Sequence, residues 1–313
     1  MKKNCLLIRF LKWLFPWKGD SAGEVVRKLV FLLATIVFLS SVGYLSYYFY
    51  QRYQSAQTAT EISQIYHQED AVGPNAPLPP GYQEKFRSLY TINPDVKGWI
   101  TIPGTTIDYP VLQSSDNNDY LRKNLYRGYD VNGTPFLDYR DVISPEEQSD
   151  NLIIYGHHMT FDGVFGVLIH YNDLSFYQEH PTITFDSVYQ DMQWKVLAGF
   201  YVNTRPQDDN GYVFDYQNYI DLSDPERFND YIDQVTKRSV ITTNVDVQYG
   251  DKLLTLSTCA DEFKGGRFVV VARLVRPGED PTPDVSQATY NPAPVYPEIW
   301  YQLYPNTPRP SSK

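Results

Sequence analysis

The chain has 313 residues, with 27 basic and 37 acidic side chains and a net charge of −10, a balance that phosphate backbones repel and that argues against nucleic-acid binding. Its two cysteines, Cys5 and Cys259, exclude a disulfide-stapled scaffold, and its length allows one large domain or two small ones. Aromatic residues make up 15% of the chain, most of them tyrosine, which suits a β-rich surface or a binding cleft.

The charge is unevenly placed. Residues 1–28 hold seven basic residues and two acidic ones, so the net −10 is the sum of a +5 segment and a −15 remainder. No charged residue lies between Lys28 and Arg52. A helix over 29–51 would reach about 34 Å, enough to cross a hydrocarbon core while satisfying its own backbone hydrogen bonds. Tyr44, Tyr47, Tyr48 and Tyr50 crowd one end, where amphipathic rings favour the membrane interface. The basic flank precedes the span, so the reading is a signal-anchor helix with a cytoplasmic N-terminus and an extracellular remainder. A cleaved signal peptide is the competing reading, but its apolar stretch is ordinarily shorter and no convincing small-x-small site follows. The mixed cationic and apolar stretch 5–17 suits the inner leaflet. This topology separates Cys5 from Cys259 and leaves one thiol on the outer side.

Residues 52–80 begin polar and end rich in proline, as a stalk or linker would. From residue 81 the pattern turns to strands: 98–113, 134–140, 151–159, 182–187, 192–203, 252–259 and 267–275. Helical patches are fewer, at 84–90, 116–124 and 224–238. In the last, Asp224 stands as N-cap before Pro225, and Phe228, Tyr231, Ile232 and Val235 share one apolar face. Strands without regular βαβ alternation predict a mainly β fold, an antiparallel barrel or sandwich with inserted helices. Residues 277–313 contain nine prolines and few aliphatics, and read as an extended Pro/Tyr-rich tail.

KLLTLSTC ends at Cys259 and RFVVVARLV begins at Arg267, with a glycine-containing loop between, so the two runs form a hairpin. A guanidinium beside the thiol favours thiolate and can hold a carbonyl oxygen becoming an oxyanion. A buried inert cysteine and an ordinary surface arginine remain open on spacing alone. A nucleophilic cysteine needs a histidine, and there are five. His67 falls in the stalk, and His170 and His180 fall in polar loops. His157 and His158 end the apolar strand NLIIYGHH after a glycine. The pair lacks a cysteine or carboxylate cluster at ligand spacing, so no metal is expected.

YGHHM, followed well downstream by TLSTC and a strand-initial arginine, resembles a sortase, more narrowly a class B sortase, over roughly residues 81–276. The resemblance implies a closed antiparallel or mixed barrel of about eight strands carrying a cysteine transpeptidase outside a Gram-positive cell. It implies Cys259 as nucleophile, His157 (which directly follows the glycine) as acid/base, and Arg267 as carbonyl-stabilising group. DNNDYL is similar to a family motif whose Asn and Leu line the substrate groove, which points to Asn117 and Leu121. Tyr155 and Ser257 match further wall positions. The implied partners are secreted proteins with an LPxTG-like or NPxTx-like sorting signal and an amine acceptor from peptidoglycan precursor or pilin. No organic cofactor is required. Ala260 stands where the class often has an acidic residue, and Asp261 follows. A second C-terminal span and an Asp-Pro-aromatic lid, expected of pilus polymerases, are not evident, since no apolar run follows Val275 in this sequence. Pilin joining by a class B relative and an inactive tethered adhesion module are the alternatives.

Overall fold

The computed structural model describes residues 2–68, 77–159 and 162–310, with side chains from Ile8 onward, so the Cys5 thiol and residues 69–76 of the expected stalk and linker lie outside the described residues. The chain divides into two compact units, 1–56 and 57–313. The first contains α1 (Lys2–Leu14) and most of α2 (Ala22–His67). Among the described residues α2 is the one helix long and apolar enough to span a membrane. Leu33, Ile36, Val37, Phe38 and Leu39 are all exposed on it, a surface that water does not favour.

The second unit begins with the end of α2, where polar stalk sequence was expected. Here the helix docks through side chains. Ile62 is buried, the Tyr66 ring stacks 4.2 Å from Trp99, and Ser63 Oγ donates to Asp108 at 2.5 Å. Asp108 also accepts from Trp99 Nε1 at 2.7 Å and meets His67 Nε2 at 3.0 Å, so His67 has a partner and is not merely solvated.

Beyond α3 (Arg87–Ile92) come β1 (Val96–Thr101), β2 (Asp108–Leu112), β3 (Phe136–Leu137), β4 (Asn151–Tyr155), β5 (His158–Met159), β6 (Gly163–Val164), α4 (Leu174–Glu179), β7 (Thr182–Ser187), β8 (Gln193–Asn203), α5 (Pro225–Arg238), β9 (Ile241–Thr242), β10 (Leu253–Ala260), β11 (Gly266–Leu274), β12 (Thr289–Tyr290) and α6 (Glu298–Leu303). Eight strands close into a barrel in the order β1-β2-β3-β4-β10-β11-β8-β7. Two pairings, β2 with β3 and β4 with β10, are parallel, which makes the barrel mixed. The short β5 and β6 pair with each other, as do β9 and β12.

Strand alternation divides the apolar side chains between two cores. Leu254, Leu256, Val270 and Ala272 face the barrel interior with Ile100, Val111 and Ile154. Leu253, Val269, Val271 and Ile153 face outward, where α5 covers them with Phe228, Tyr231 and Val235. The Asp224 side chain caps α5 by accepting from Glu226 N at 3.1 Å, with Pro225 at the first position, as its sequence predicts.

Two stretches differ from expectation. Residues 116–124 hold only a single 3-10 turn, Asp119–Leu121, because the Asp116 side chain takes the backbone N–H groups of Asn118 and Asp119 at 2.7 and 3.0 Å. Residues 277–313 do not simply run extended: β12 and α6 lie within them, and Tyr296 and Trp300 pack against the barrel core. Glu279 anchors their start, accepting from Arg273 Nη2 at 2.7 Å and Lys195 Nζ at 2.6 Å.

Asp141 is 5% exposed, with one carboxyl oxygen accepting from Ile153 N at 2.8 Å and the other lacking a partner among the described residues. Burial, with Asp138 nearby, pushes its carboxyl up to about 8, so the folded state carries it protonated. Folding therefore takes up a proton, and stability from this group is full below the ordinary carboxylate range and lost as pH rises toward about 8. The urea midpoint of the parent should fall between pH 5 and pH 8 more steeply than that of Asp141→Asn. Equal slopes would show the carboxylate is ionised in the fold.

Candidate active site

The register of three strands assembles the site. β4 runs parallel to β10 with Tyr155 beside Ser257, and Gly156 N extends the ladder by donating to Ser257 O at 3.0 Å. The residues that follow, His157 after β4 and Thr258–Cys259 within β10, therefore lie at the same end of the sheet. β11 returns antiparallel with Arg267 directly opposite Cys259. Opposite residues on antiparallel strands share a face, with Cβ atoms about 5 Å apart. By alternation that face is the outer one, which also carries Leu253, Thr255 and Ser257. Thr255 and Ser257 are buried there by the Tyr231 and Tyr216 hydroxyls, at 2.7 and 2.6 Å, whereas Cys259, at the strand end, is half-buried and free.

Two glycines are sterically required. A Cβ on Gly156 would sit 2.5 Å from the Phe165 ring, so the residue before His157 must be glycine for the chain to turn over that ring. Gly265, at φ +81°, makes the turn that returns β11.

His157 Nε2 lies 2.8 Å from Leu121 O. A carbonyl only accepts, so the neutral ring carries its proton on Nε2 and leaves Nδ1 as the basic nitrogen. The imidazole is held below its usual value, first by burial and then by the charges of Arg122 and Arg267, against the opposing pull of the Leu121 carbonyl. At neutral pH it is therefore chiefly an uncharged base. His158 has a different place: its Nδ1 lies 2.9 Å from Cys259 O and ties β5 to the end of β10. Arg267 Nη1 donates to Gly266 O at 2.9 Å, a bond that brings no counter-charge to the guanidinium.

Of the four expected wall residues, Asn117, Tyr155 and Ser257 have their polar groups engaged within the protein. Ser257 is 2% exposed. The Tyr155 hydroxyl donates to Asp138 at 2.8 Å. Asn117 Nδ2 donates to the same carboxylate at 2.9 Å, while its Oδ1 accepts from Tyr139 N at 3.0 Å. Leu121 contributes its carbonyl to His157.

Asp138, missed in the sequence, is the hub of this arrangement. It is fully buried and also accepts from Arg140 Nε at 2.8 Å and Nη2 at 2.9 Å. Burial alone would raise its carboxyl, but the bonds from Arg140, Tyr155 and Asn117 hold it below the usual range. FLDYR carried the signal, an aspartate two residues before an arginine at a strand end.

A mixed eight-stranded barrel with a free thiol and a guanidinium paired across a hairpin, beside a strand-end imidazole, defines a cysteine-dependent acyl-transfer scaffold. Comparison with known proteins agrees. Residues 100–275 match the sortase domain family model. Sortase B of Staphylococcus aureus is 35% identical over 196 residues, which cover 61% of this chain and 75% of that protein. Among solved structures, the S. aureus sortase B–substrate complex superposes with a TM-score of 0.61 at 30% identity, covering 72% of this chain and 98% of the other. A sortase B complexed with triglycine superposes with a TM-score of 0.61 at 30% identity, covering 72% and 99%. The chain belongs to the sortase family, with class B relatives, and is a cysteine transpeptidase.

Asp138→Ala should destabilise the domain by about 3 kcal/mol or more, since several buried donors lose one acceptor at about 1–3 kcal/mol each. Peptide turnover should fall at least tenfold, because Tyr155 and Asn117 lie on the segments that carry His157 and Leu121. Urea denaturation and a cleavage assay check the two effects, and wild-type values in both would remove Asp138 from this role.

Proposed function

We propose that this transpeptidase is a single-pass membrane protein, held by residues 29–51 with residues 1–28 in the cytoplasm and the catalytic domain 81–276 outside the cell. The exposed apolar face of α2 and the basic residues before it support that reading. Its substrates are secreted proteins with a C-terminal LPxTG-like or NPxTx-like sorting signal, which it transfers to an amine of the cell-wall peptide cross-bridge. A related sortase B accommodates triglycine. That favours a glycine-like α-amine as acceptor over a pilin lysine.

The observation that carries the mechanism is the direct pairing of Cys259 with Arg267 beside the end of β4. His157 Nδ1 takes the Cys259 proton, and the thiolate attacks the scissile carbonyl. Arg267 donates to the oxyanion. The protonated Nδ1 then gives its proton to the leaving amine, and the acyl group remains on sulfur as a thioester. The acceptor amine enters the vacated position and loses a proton to Nδ1 as it attacks; collapse expels the Cys259 thiolate, which takes that proton from Nδ1 and so restores the thiol and the neutral ring. Asn117, Leu121, Tyr155 and Ser257 form the wall along which the signal lies, acting mainly through shape and by holding His157, since their polar groups are engaged within the protein. Loop 204–223, which crosses this face through the Tyr216–Ser257 bond, reads the side chains of the signal.

Cys259→Ala should reduce cleavage of a fluorescent signal peptide at least a thousandfold and leave no thioester by mass spectrometry; parental turnover would refute the assignment. Arg267→Lys should lose about a hundredfold, because a point charge does not reproduce the guanidinium fork. The acidic limb of kcat/KM should lie below pH 6.5, the ordinary histidine value, because His157 is depressed. A limb above that value would show that His157 is not the titrating base.

A further inference from the structure

The family match ends at residue 275, yet the segment that follows reaches the two loops beside the catalytic pair. The Trp300 ring lies 4.7 Å from Tyr201, whose strand neighbour Val202 pairs with Arg267. It lies 6.4 Å, edge to face, from Phe263 in the loop just after Cys259. Tyr296 stacks on it at 4.4 Å. Tyr201 Oη donates to Glu262 in the same loop at 3.1 Å. The segment also bonds to the other loop, where Glu298 N donates to Asp209 Oδ1. The two loops also bond to each other, with Thr204 N donating to Gly265 O at 3.0 Å.

The segment is itself firmly held. Asn291 N donates to Val240 O and Val295 N to Lys237 O, both at 2.9 Å, and the Tyr301 hydroxyl donates to Pro294 O at 3.3 Å. Tyr296 and Trp300 close the barrel interior at the end where Ala260, Tyr201 and Phe268 belong to the core. Cys259 and Arg267 project from the outer face of the same strand ends. Between the segment and loop 209–214 a cavity of about 260 Å³ remains, so close packing does not duplicate the Asp209 bond.

We propose that residues 294–304 form a clamp that fixes loops 204–214 and 261–265 for sorting-signal binding, with Trp300 as its central positioning residue. The proposal rests on the reading that these loops border the signal. The clamp acts on the loops and not on the reacting groups, because the pairings among β4, β10 and β11 that place His157, Cys259 and Arg267 do not pass through it.

The test uses the full chain in detergent micelles, as parent, Trp300→Ala, Trp300→Phe and Asp209→Ala. Amide hydrogen exchange in 204–214 and 261–265 should quicken about tenfold in Trp300→Ala and stay unchanged in β4 and β10. Cleavage of an LPxTG-like or NPxTx-like fluorescent peptide should show KM raised about tenfold with kcat within twofold. Alkylation of Cys259 by iodoacetamide should stay within twofold of the parent. Trp300→Phe should restore most of KM, and Asp209→Ala, which removes no core ring, should raise KM and loosen 204–214 alone. Unchanged exchange in both loops overturns the clamp, and faster exchange with unchanged KM overturns its part in recognition. A global exchange increase in Trp300→Ala passes the decision to Asp209→Ala, where unchanged exchange and KM overturn the clamp. Cleavage by Cys259→Ala at the parental rate would refute the catalytic reading, while the exchange comparison would still decide whether the loops are clamped.

Discussion

The parallel pairing of β4 with β10 is the constraint on which the active end of the molecule depends. Parallel neighbours run in the same direction, so two residues distant in sequence, His157 and Cys259, come to the same end of the barrel without a connecting loop to place them. An antiparallel pairing would put their strand ends at opposite ends of the barrel. The register matters equally, since a slip by one residue would turn Cys259 and Arg267 into the apolar interior. That register is pinned by polar groups that have only one acceptable position. Thr255 Oγ1 donates to Asn151 Oδ1 across the parallel pair at 2.8 Å, and Tyr231 and Tyr216 reach the hydroxyls of Thr255 and Ser257. A slipped strand would bury these groups unpaired.

Electrostatics complete what register begins. The molecule is acidic overall, yet the groups that act on His157 are the cations Arg122 and Arg267. With burial they keep the imidazole neutral, while the Leu121 carbonyl selects which nitrogen carries the proton. A neutral, tautomerically defined histidine can take a proton from the thiol and later return one to an amine. A permanently charged imidazolium could do only the second. The negative charge that matters locally is Asp138, and it is kept one layer back, where Arg140 neutralises it and its remaining capacity orients Tyr155 and Asn117.

Much of this was legible in the chain. The hairpin of Cys259 and Arg267 follows from two apolar runs and a glycine loop, and α5 follows from its cap, its proline and its apolar stripe. The strand before His157 was equally plain. The rest depended on partners that composition does not reveal. The acceptor that sets the His157 tautomer is a backbone carbonyl, which every residue possesses, so no side-chain motif announces it. The stretch 116–124 looked helical by composition but yields to Asp116, whose side chain caps backbone groups in a turn. The barrel pairing joins strands a hundred residues apart, and local pattern carries no information on it.

The segment after 277 shows most clearly what local pattern leaves out. Nine prolines remove backbone donors and suppress regular structure, so pattern alone predicts an extended chain. Order comes mostly from contacts instead of from helices or strands. Glu279 meets the nearly fully buried Arg273, a cation whose charge would otherwise lie uncompensated inside the fold. Tyr296 and Trp300 then cover the apolar end of the barrel. The aromatic content that first suggested a β-rich surface is thus partly explained by its place: rings cover the apolar end of the barrel beside the loop that joins β10 to β11.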